Sequence, residues 1–226
     1  MSQPLTIILG AGPGLGLALA RRFANEGHDL ALMARDEDRL SEMAEALAAE
    51  TQQTVKGFVA DGTDLDSIQG ALTRIHGSLG PARVFIHNAS RWLPDTGPEL
   101  APDLLMSEMM LGAGAALAAS QAVLPGMEAA GEGTILWTGS RMGLAPAEAG
   151  APSPALAAGK SALRGLALAT AGQFHDRGVN FSTITINGGI GSKPAFAPDK
   201  IADVFWQAHK APRSEWTAER IFDGAD

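Results

Sequence analysis

The chain has 226 residues and contains neither cysteine nor tyrosine. Without cysteine there is no disulfide, no thiolate zinc site and no cysteine nucleophile. Without tyrosine there is no phenolic proton donor in the molecule. Positive charge is also scarce: the net charge is −8, and no run of Lys or Arg is longer than Arg21-Arg22. Nucleic acids and anionic membranes both reward a basic face, so neither is an expected partner. No stretch reaches the ~18 uninterrupted apolar residues of a spanning helix, so none is expected. The apolar run LTIILGAGPGLGLALARRF near the N-terminus has no basic segment before it, and its glycines are regularly spaced. It reads as a strand and a glycine turn rather than a signal peptide. The histidines (His28, His76, His87, His175 and His209) show no ligand spacing such as HxxxH, so no metal site is expected. Cysteine-free composition fits a cytoplasmic location, which is the expectation.

What the chain does have is alternation. Hydrophobic residues make up 46% and charged residues 19%, ordinary for a globular protein. Short apolar runs at Leu5–Leu9, Leu30–Ala34, Val55–Ala60, Arg83–His87, Thr134–Thr138 and Phe181–Ile186 read as strands. Helical spacing fills the gaps: Leu15–Glu26, Asp38–Glu50, Leu65–Ile75, one long region from about Asp103 to Ala130, a stretch ending near Arg177, and Lys200–His209. A last strand is expected near Trp216–Phe222, and an Ala/Pro/Gly-rich loop over Met142–Pro154. Strands alternating with helices pair in parallel through right-handed crossovers. The expectation is α/β: a doubly wound Rossmann fold, a parallel sheet of about seven strands with helices on both faces, in one dinucleotide-binding domain over residues 1–226.

After the first strand stands GAGPGLG, with Gly10, Gly14 and Gly16 spaced GxxxGxG. Glycine lets the backbone approach a pyrophosphate closely. The following helix, starting at Leu15, offers free N–H groups and a positive dipole end to the anion. The alternative is a tight strand–helix turn with no ligand.

These residues make the chain similar to the short-chain dehydrogenase/reductase family, and the resemblance covers nearly all of it. Asp61 and Gly62, in VADGTD, look like the segment that contacts adenine after the third strand. HNAS retains Asn88 and Ala89 of the family's NNAG. Ser140, ending TGS, matches the catalytic serine, and Lys160, in AAGKSALRGL, matches the lysine of YxxxK. NGGIGS, with Ile190, resembles the segment that meets the nicotinamide, with one extra residue before it. The resemblance implies a nicotinamide cofactor. The second strand ends in Ala34-Arg35, where members that bind NAD usually place an acid. An arginine there can pair with a 2′-phosphate, so NADP is expected over NAD. Asp36 is the alternative ribose partner, with Arg35 a solvated charge.

The resemblance also exposes a departure. The family's proton relay uses asparagine, serine, tyrosine and lysine. Ser140 and Lys160 remain, but Leu156 stands where the tyrosine belongs and Gly112 where the asparagine belongs. Ser140 and Lys160 are both candidate substitutes for the lost proton donor. Ser140 could equally be a turn residue, and Lys160 a ribose ligand alone. His87 reads as a hydrogen-bonded structural histidine, and the many carboxylates as solvated helix faces. Arg91 and Trp92 are candidates for the substrate mouth; Trp206 and Trp216 for packing. Three functions remain open: an NADP-dependent oxidoreductase of a small or medium carbonyl compound or alcohol, with an apolar pocket walled by Met142–Pro154; a non-catalytic NADP-binding sensor or assembly protein; or a different reaction such as dehydration or isomerisation. A homodimer or homotetramer is implied by the family. It would form through small-residue faces such as Ala115, Ala118 and Ala119, or Ala162, Ala169 and Gly172.

Overall fold

The apolar runs pair into one parallel sheet of seven strands in the order β3-β2-β1-β4-β5-β6-β7. The computed structural model describes residues 3–149 and 153–224. The strands are β1 (Leu5–Leu9), β2 (Asp29–Ala34), β3 (Val55–Val59), β4 (Val84–His87), β5 (Gly133–Ser140), β6 (Val179–Ile186) and β7 (Glu219–Phe222). Central strands are buried on both faces, which is why they read as unbroken hydrophobic runs. β3 lies at an edge and is half exposed, so its sequence mixes Lys56 and Gly57 into the run.

Helices cover both faces. On one side α1 (Leu15–Asn25), α2 (Glu37–Thr51) and α8 (Pro198–Lys210) pack on Ile8, Leu32 and Ile86. On the other, α3 (Leu65–Leu79), α5 (Ala115–Ala130) and α7 (Pro154–Asp176) pack on Ile7, Phe85 and Ile135. The short α4 (Pro102–Met109) leads into α5, and the single turn α6 (Arg141–Leu144) follows β5. The sheet and its helices are those expected. The last strand is shorter than expected, because residues Arg213–Glu215 form a 3₁₀ turn before it.

Two findings differ from the expected pattern. The region from 102 to 130 is not one regular helix: a π-helical turn at Met110–Gly114 separates α4 from α5. Taken whole, Pro102–Ala130 is long and apolar enough to cross a membrane by length and composition. Its buried share packs in the core, where Ala115, Ala116, Ala119, Val123 and Met127 lie, while Met106 and Met109 are exposed. The same packing corrects the expected oligomer face. Ala115 and Ala119 are fully buried inside the chain's own core, whereas Ala118, Ala162, Ala169 and Gly172 retain exposure.

The π turn presses Gly112 against α7. A Cβ on Gly112 would lie 2.9 Å from the Gly159 carbonyl oxygen, and one on Gly159 would lie 2.6 Å from the Glu108 carbonyl oxygen. Two glycines thus let α4, the π turn and α7 close on one another. Glycine at a helix interior otherwise costs about 1 kcal/mol relative to alanine. The sign of a Gly→Ala change therefore depends on position along α7. Gly165 has open space around it, so Gly165→Ala is expected to stabilise by about 0.5–1 kcal/mol. Gly159→Ala is expected to destabilise by about 1–2 kcal/mol, because α4 must move. Urea unfolding of the two variants checks the opposite signs.

Candidate functional site

The sheet order reverses between β1 and β4, where the chain leaves to opposite sides of the sheet. Such a switch point opens a crevice at the carboxyl ends of the strands. A cleft of about 940 Å³ lies there. Gly10, Gly14, Leu15, Gly16, Arg35, Asp61, Gly62, Asn88, Ala89, Ser140, Lys160 and Ile190, the site residues singled out in the sequence, all line it. Leu156 lines it too, while Gly112 does not and faces a smaller void behind it.

The glycine turn is built for close approach. Gly10 has φ +96°, and a Cβ there would meet the Ala89 nitrogen at 2.3 Å, so only glycine fits between β1 and β4. The α1 N-terminus has no side-chain cap and no acid in its first turn. The Leu17 N–H is taken by the Gly12 carbonyl at 2.8 Å, so the partial positive charge that the helix end offers the cleft rests on the N–H groups of Leu15 and Gly16. A Cβ on Gly12 or Gly14 would meet nothing within 4 Å, so the space over that end is open. These features fit the diphosphate of a dinucleotide.

At the end of β2, the two ribose-partner candidates separate. Asp36 is the N-cap of α2: its carboxylate accepts from the Arg39 N–H at 3.1 Å and pairs with the Arg39 guanidinium at 3.1 Å. Arg35 and Arg39 both line the cleft. Across from them, Asp61 accepts from the backbone N–H and the hydroxyl of Thr63, each at 2.8 Å. The Thr63 N–H leads in holding the Asp61 carboxyl below its ordinary range, and the Arg35 and Arg91 charges add to it.

A chain of hydrogen bonds ties this turn to the far end of the cleft. Asn88 donates from Nδ2 to the Gly10 carbonyl at 3.0 Å. Thr138 donates from its hydroxyl to Asn88 Oδ1 at 3.0 Å. Lys160 donates from Nζ to the Thr138 carbonyl at 3.0 Å. Ser140 caps α6, its oxygen accepting from the Met142 N–H at 3.2 Å, which leaves its proton free to donate.

Behind the cleft the charges are buried. Lys160 is 6% exposed and Glu108 only 3%. Glu108 is not a solvated helix residue, as expected of the carboxylates. It faces α7, pairs with Arg91, and Arg91 donates onward to Ser107 at 2.7 Å. Neither pattern nor motif signals Glu108, because only the π turn and the Gly112–Gly159 contact bring it inward. Arg91 lines the cleft as expected; Trp92 does not, and lies exposed. His87 corrects another expectation. It is fully buried, and among the described residues the Leu111 backbone is the one hydrogen-bonding group that acts on its ring, without reaching good hydrogen-bond geometry at either nitrogen. Burial and the Lys160 charge push its pKa down to about 3, against a smaller opposing effect of the Leu111 backbone, so the ring is neutral. The apolar lining of the cleft comes from Leu111, Leu156, Ile186 and Ile190 rather than from residues 142–149. Residues 150–152 of that expected wall lie outside the described residues. Trp206 packs in the core against Phe23, as expected, and Trp216 packs on His175.

Burial pushes the Lys160 pKa down from 10.5 to about 8, with the Glu108 carboxylate opposing the shift. The unfolded chain keeps that proton to higher pH than the folded one. Stability therefore rises with pH between about 8 and 10.5, and the full penalty is present below 8. The absence of tyrosine and cysteine keeps this window free of their titrations. Urea unfolding is expected to show a rise of up to about 3 kcal/mol from pH 8 to 10.5. In Lys160→Met the rise disappears, and the variant exceeds the parent in stability at pH 7.

The comparisons with known proteins agree with this geometry. The short chain dehydrogenase family profile matches residues 4–192. The chain is 29% identical over 184 residues to Oxidoreductase asL5 of Sarocladium schorii, covering 79% of this chain and 69% of that protein. It is 31% identical over 190 residues to 2-(S)-hydroxypropyl-CoM dehydrogenase 3 of Xanthobacter autotrophicus, covering 81% and 71%. The structure of L-sorbose reductase from Gluconobacter frateurii, complexed with NADPH and L-sorbose, superimposes with a TM-score of 0.88. That alignment covers 100% of this chain and 97% of the other, at 23% identity, and speaks to the fold alone. The chain belongs to the short-chain dehydrogenase family of oxidoreductases.

Proposed function

We propose that the protein is a single-domain, NADP-dependent oxidoreductase acting on a small or medium carbonyl compound or the corresponding alcohol, with a proton relay rebuilt around Ser140 and Lys160. The observation that carries this is the cleft itself. It runs from a glycine turn and free helix N-terminus, past Arg35 and Asp61, to Ser140 and Lys160 at one apolar end. NADP is favoured over NAD because Arg35 lines the cleft at the end of β2, while the Asp36 carboxylate beside it is engaged by Arg39 through both the α2 cap and an ion pair. The NADPH complex of the sorbose reductase supports the same class of cofactor.

A bound nicotinamide coenzyme supplies or accepts the hydride. The rest is the work of the chain's own residues. Gly10, Gly14, Leu15 and Gly16 seat the diphosphate, Asp61 and Gly62 border the adenine, and Asn88, Ala89 and Ile190 line the path toward the nicotinamide. Ser140 holds the substrate oxygen through its hydroxyl. Lys160 lies beside the reacting end with a pKa brought down to about 8, close enough to neutrality to give up a proton.

Leu156 and Gly112, standing at the family's tyrosine and asparagine positions, favour a second reading: an NADP-binding protein without chemistry. Magnitudes leave room for the first. A general acid contributes about 10²–10⁴ in rate, or roughly 3–5 kcal/mol. Juxtaposing hydride donor and acceptor supplies about 7–11 kcal/mol in good cases. Partners other than substrate are expected to be further copies of this chain, through the exposed small-residue faces of α5 and α7, with a cytoplasmic location.

Two measurements test the proposal. In a titration followed by tryptophan fluorescence, NADPH is expected to bind more tightly than NADH. Arg35→Ala is expected to weaken NADPH about tenfold or more while leaving NADH nearly unchanged. Equal loss for both coenzymes contradicts the assignment of Arg35. In Leu156→Tyr, kcat for carbonyl reduction by NADPH is expected to change by less than about tenfold. A gain of about 10²–10⁴ would mean that the native site lacks a working proton donor, which supports the second reading.

A further inference from the structure

Lys160 and Glu108 approach each other from two helices across a confined space. Lys160 comes from the first turns of α7 and Glu108 from the end of α4. Both line a void of about 10 Å³, together with Ala89, Ser90, Leu156 and Gly112. That is the space for about one water molecule. The two groups make no direct ion pair; the partner of Glu108 is Arg91. Glu108 and Lys160 are both almost wholly buried, so water screens little of the attraction between them.

A carboxylate at this depth needs a reason. Buried ions are unfavourable unless paired, and an apolar residue would pack α4 on α7 more simply. Arg91 alone could neutralise Glu108 at the surface. The π turn and the two close-packed glycines instead carry Glu108 inward until it shares the void with Lys160. The other groups that face Lys160 do not offset it. His87 is neutral, and a protonated ring there would repel the ammonium rather than hold it. Thr138 offers only its carbonyl. Arg91 carries a like charge but is spoken for by Glu108.

We propose that Glu108 is the positioning residue of the site: its carboxylate, acting across the void, keeps Lys160 protonated in an apolar pocket, so that Lys160 rather than Ser140 donates the proton to the substrate oxygen. This rests on the reading of the cleft as an oxidoreductase site. In carbonyl reduction the Lys160 N–H bond breaks and its electron pair stays on Nζ. The proton forms the O–H bond on the oxygen whose carbon has received hydride. The neutral amine is reprotonated from solvent, and Glu108 favours that return. In alcohol oxidation the same proton moves the other way, onto the neutral amine. Ser140 remains a hydrogen-bond donor to the substrate oxygen. Leu156 lines both cleft and void, and so puts an apolar side chain beside Lys160, which itself reaches the cleft.

The test reads Lys160 directly in the full-length protein without coenzyme. The lysine ¹³Cε signals are followed by NMR from pH 6 to 11, with Lys160 assigned by its loss in Lys160→Met. The midpoint for Lys160 is expected to fall by about one pH unit in Glu108→Gln. It should stay near that of the parent in Glu108→Asp, which keeps the charge. An unchanged midpoint in a folded Glu108→Gln overturns the proposal. Should that variant not fold, the parent protein still decides: the Glu108 ¹³Cδ signal must show an inflection at the Lys160 midpoint, and its absence overturns the proposal equally. With NADPH and a reducible carbonyl, the alkaline fall of kcat must shift in Glu108→Gln by the same amount as the Lys160 midpoint. A uniform loss of rate at every pH would mean a structural role only and would also overturn it. Failure of NADPH to bind leaves the NMR result standing and counts against the oxidoreductase reading instead.

Discussion

A buried ammonium group governs this molecule. Lys160 sits 6% exposed at the inner end of the cleft, where its charge is unfavourable by its own measure. It is tolerable because its Nζ donates to the Thr138 carbonyl and because Glu108, whose charge favours the protonated lysine, lines the same small void. The hydrogen-bond chain from Lys160 through Thr138 and Asn88 to the Gly10 carbonyl then couples that ammonium to the glycine turn. Four elements, α7, β5, β4 and β1, are thereby held in register at the edge where a ligand enters. A shift in any of them moves both ends of the cleft together. This is the arrangement a coenzyme-dependent reaction requires, since its phosphates and its reacting ring must be placed by one rigid frame.

The sheet explains why that edge was available. Parallel strands covered on both faces can expose only their ends. Between β1 and β4 the crossovers part to opposite sides, so no helix fills the gap above the carboxyl ends. The glycines at this gap are there for different reasons. Gly10 is excluded from being anything larger by the backbone of Ala89, while a Cβ on Gly14 would meet nothing within 4 Å and so leaves room for a ligand. Gly112 and Gly159 do not line the cleft and serve instead to close α4 and the π turn on α7. Glycine spacing alone does not separate these roles; the neighbours of each position do.

The legible part of the fold was the part encoded locally. The five buried residues of β1, the turn after it and the helix beginning at Leu15 are contiguous, so their meaning could be read in order. Asn88 and Ser140, just after or at the end of a strand, and Lys160, in the helix that follows, could likewise be placed from local sequence, and all three line the cleft. The residues that escaped were set by contacts between distant segments. Glu108 has the composition of a surface helix residue, and only the meeting of α4 with α7 buries it. Ala115 and Ala119 read as small residues for a partner helix, yet the sheet of their own chain covers them. His87 ends the fourth strand and reads as a hydrogen-bonded structural histidine. In the folded chain Asn88 spends its side chain on Gly10 and Thr138, and neither imidazole nitrogen reaches good hydrogen-bond geometry. The π turn has no signature in a stretch of Met, Leu, Gly and Ala, all compatible with a regular helix.

In a chain without tyrosine, a proposed proton relay depends on groups that burial affects differently. A phenol is neutral in its protonated form, so burial leaves it a proton donor at little electrostatic expense. An ammonium is charged in its protonated form, so burial alone pushes it toward the neutral, useless state. A site that keeps the lysine as donor must therefore supply a countercharge near enough to be felt, yet not in contact, since a direct ion pair would hold the proton too firmly. The positions of Glu108 and Lys160 meet both conditions. They face one void without an ion pair between them, and the lysine retains a pKa of about 8 rather than falling further. The guanidinium of Arg91 takes the direct pairing that the lysine must avoid. A leucine at position 156 then fits its surroundings: an apolar side chain bordering both the cleft and the void lowers the dielectric beside the lysine without closing its way to the cleft.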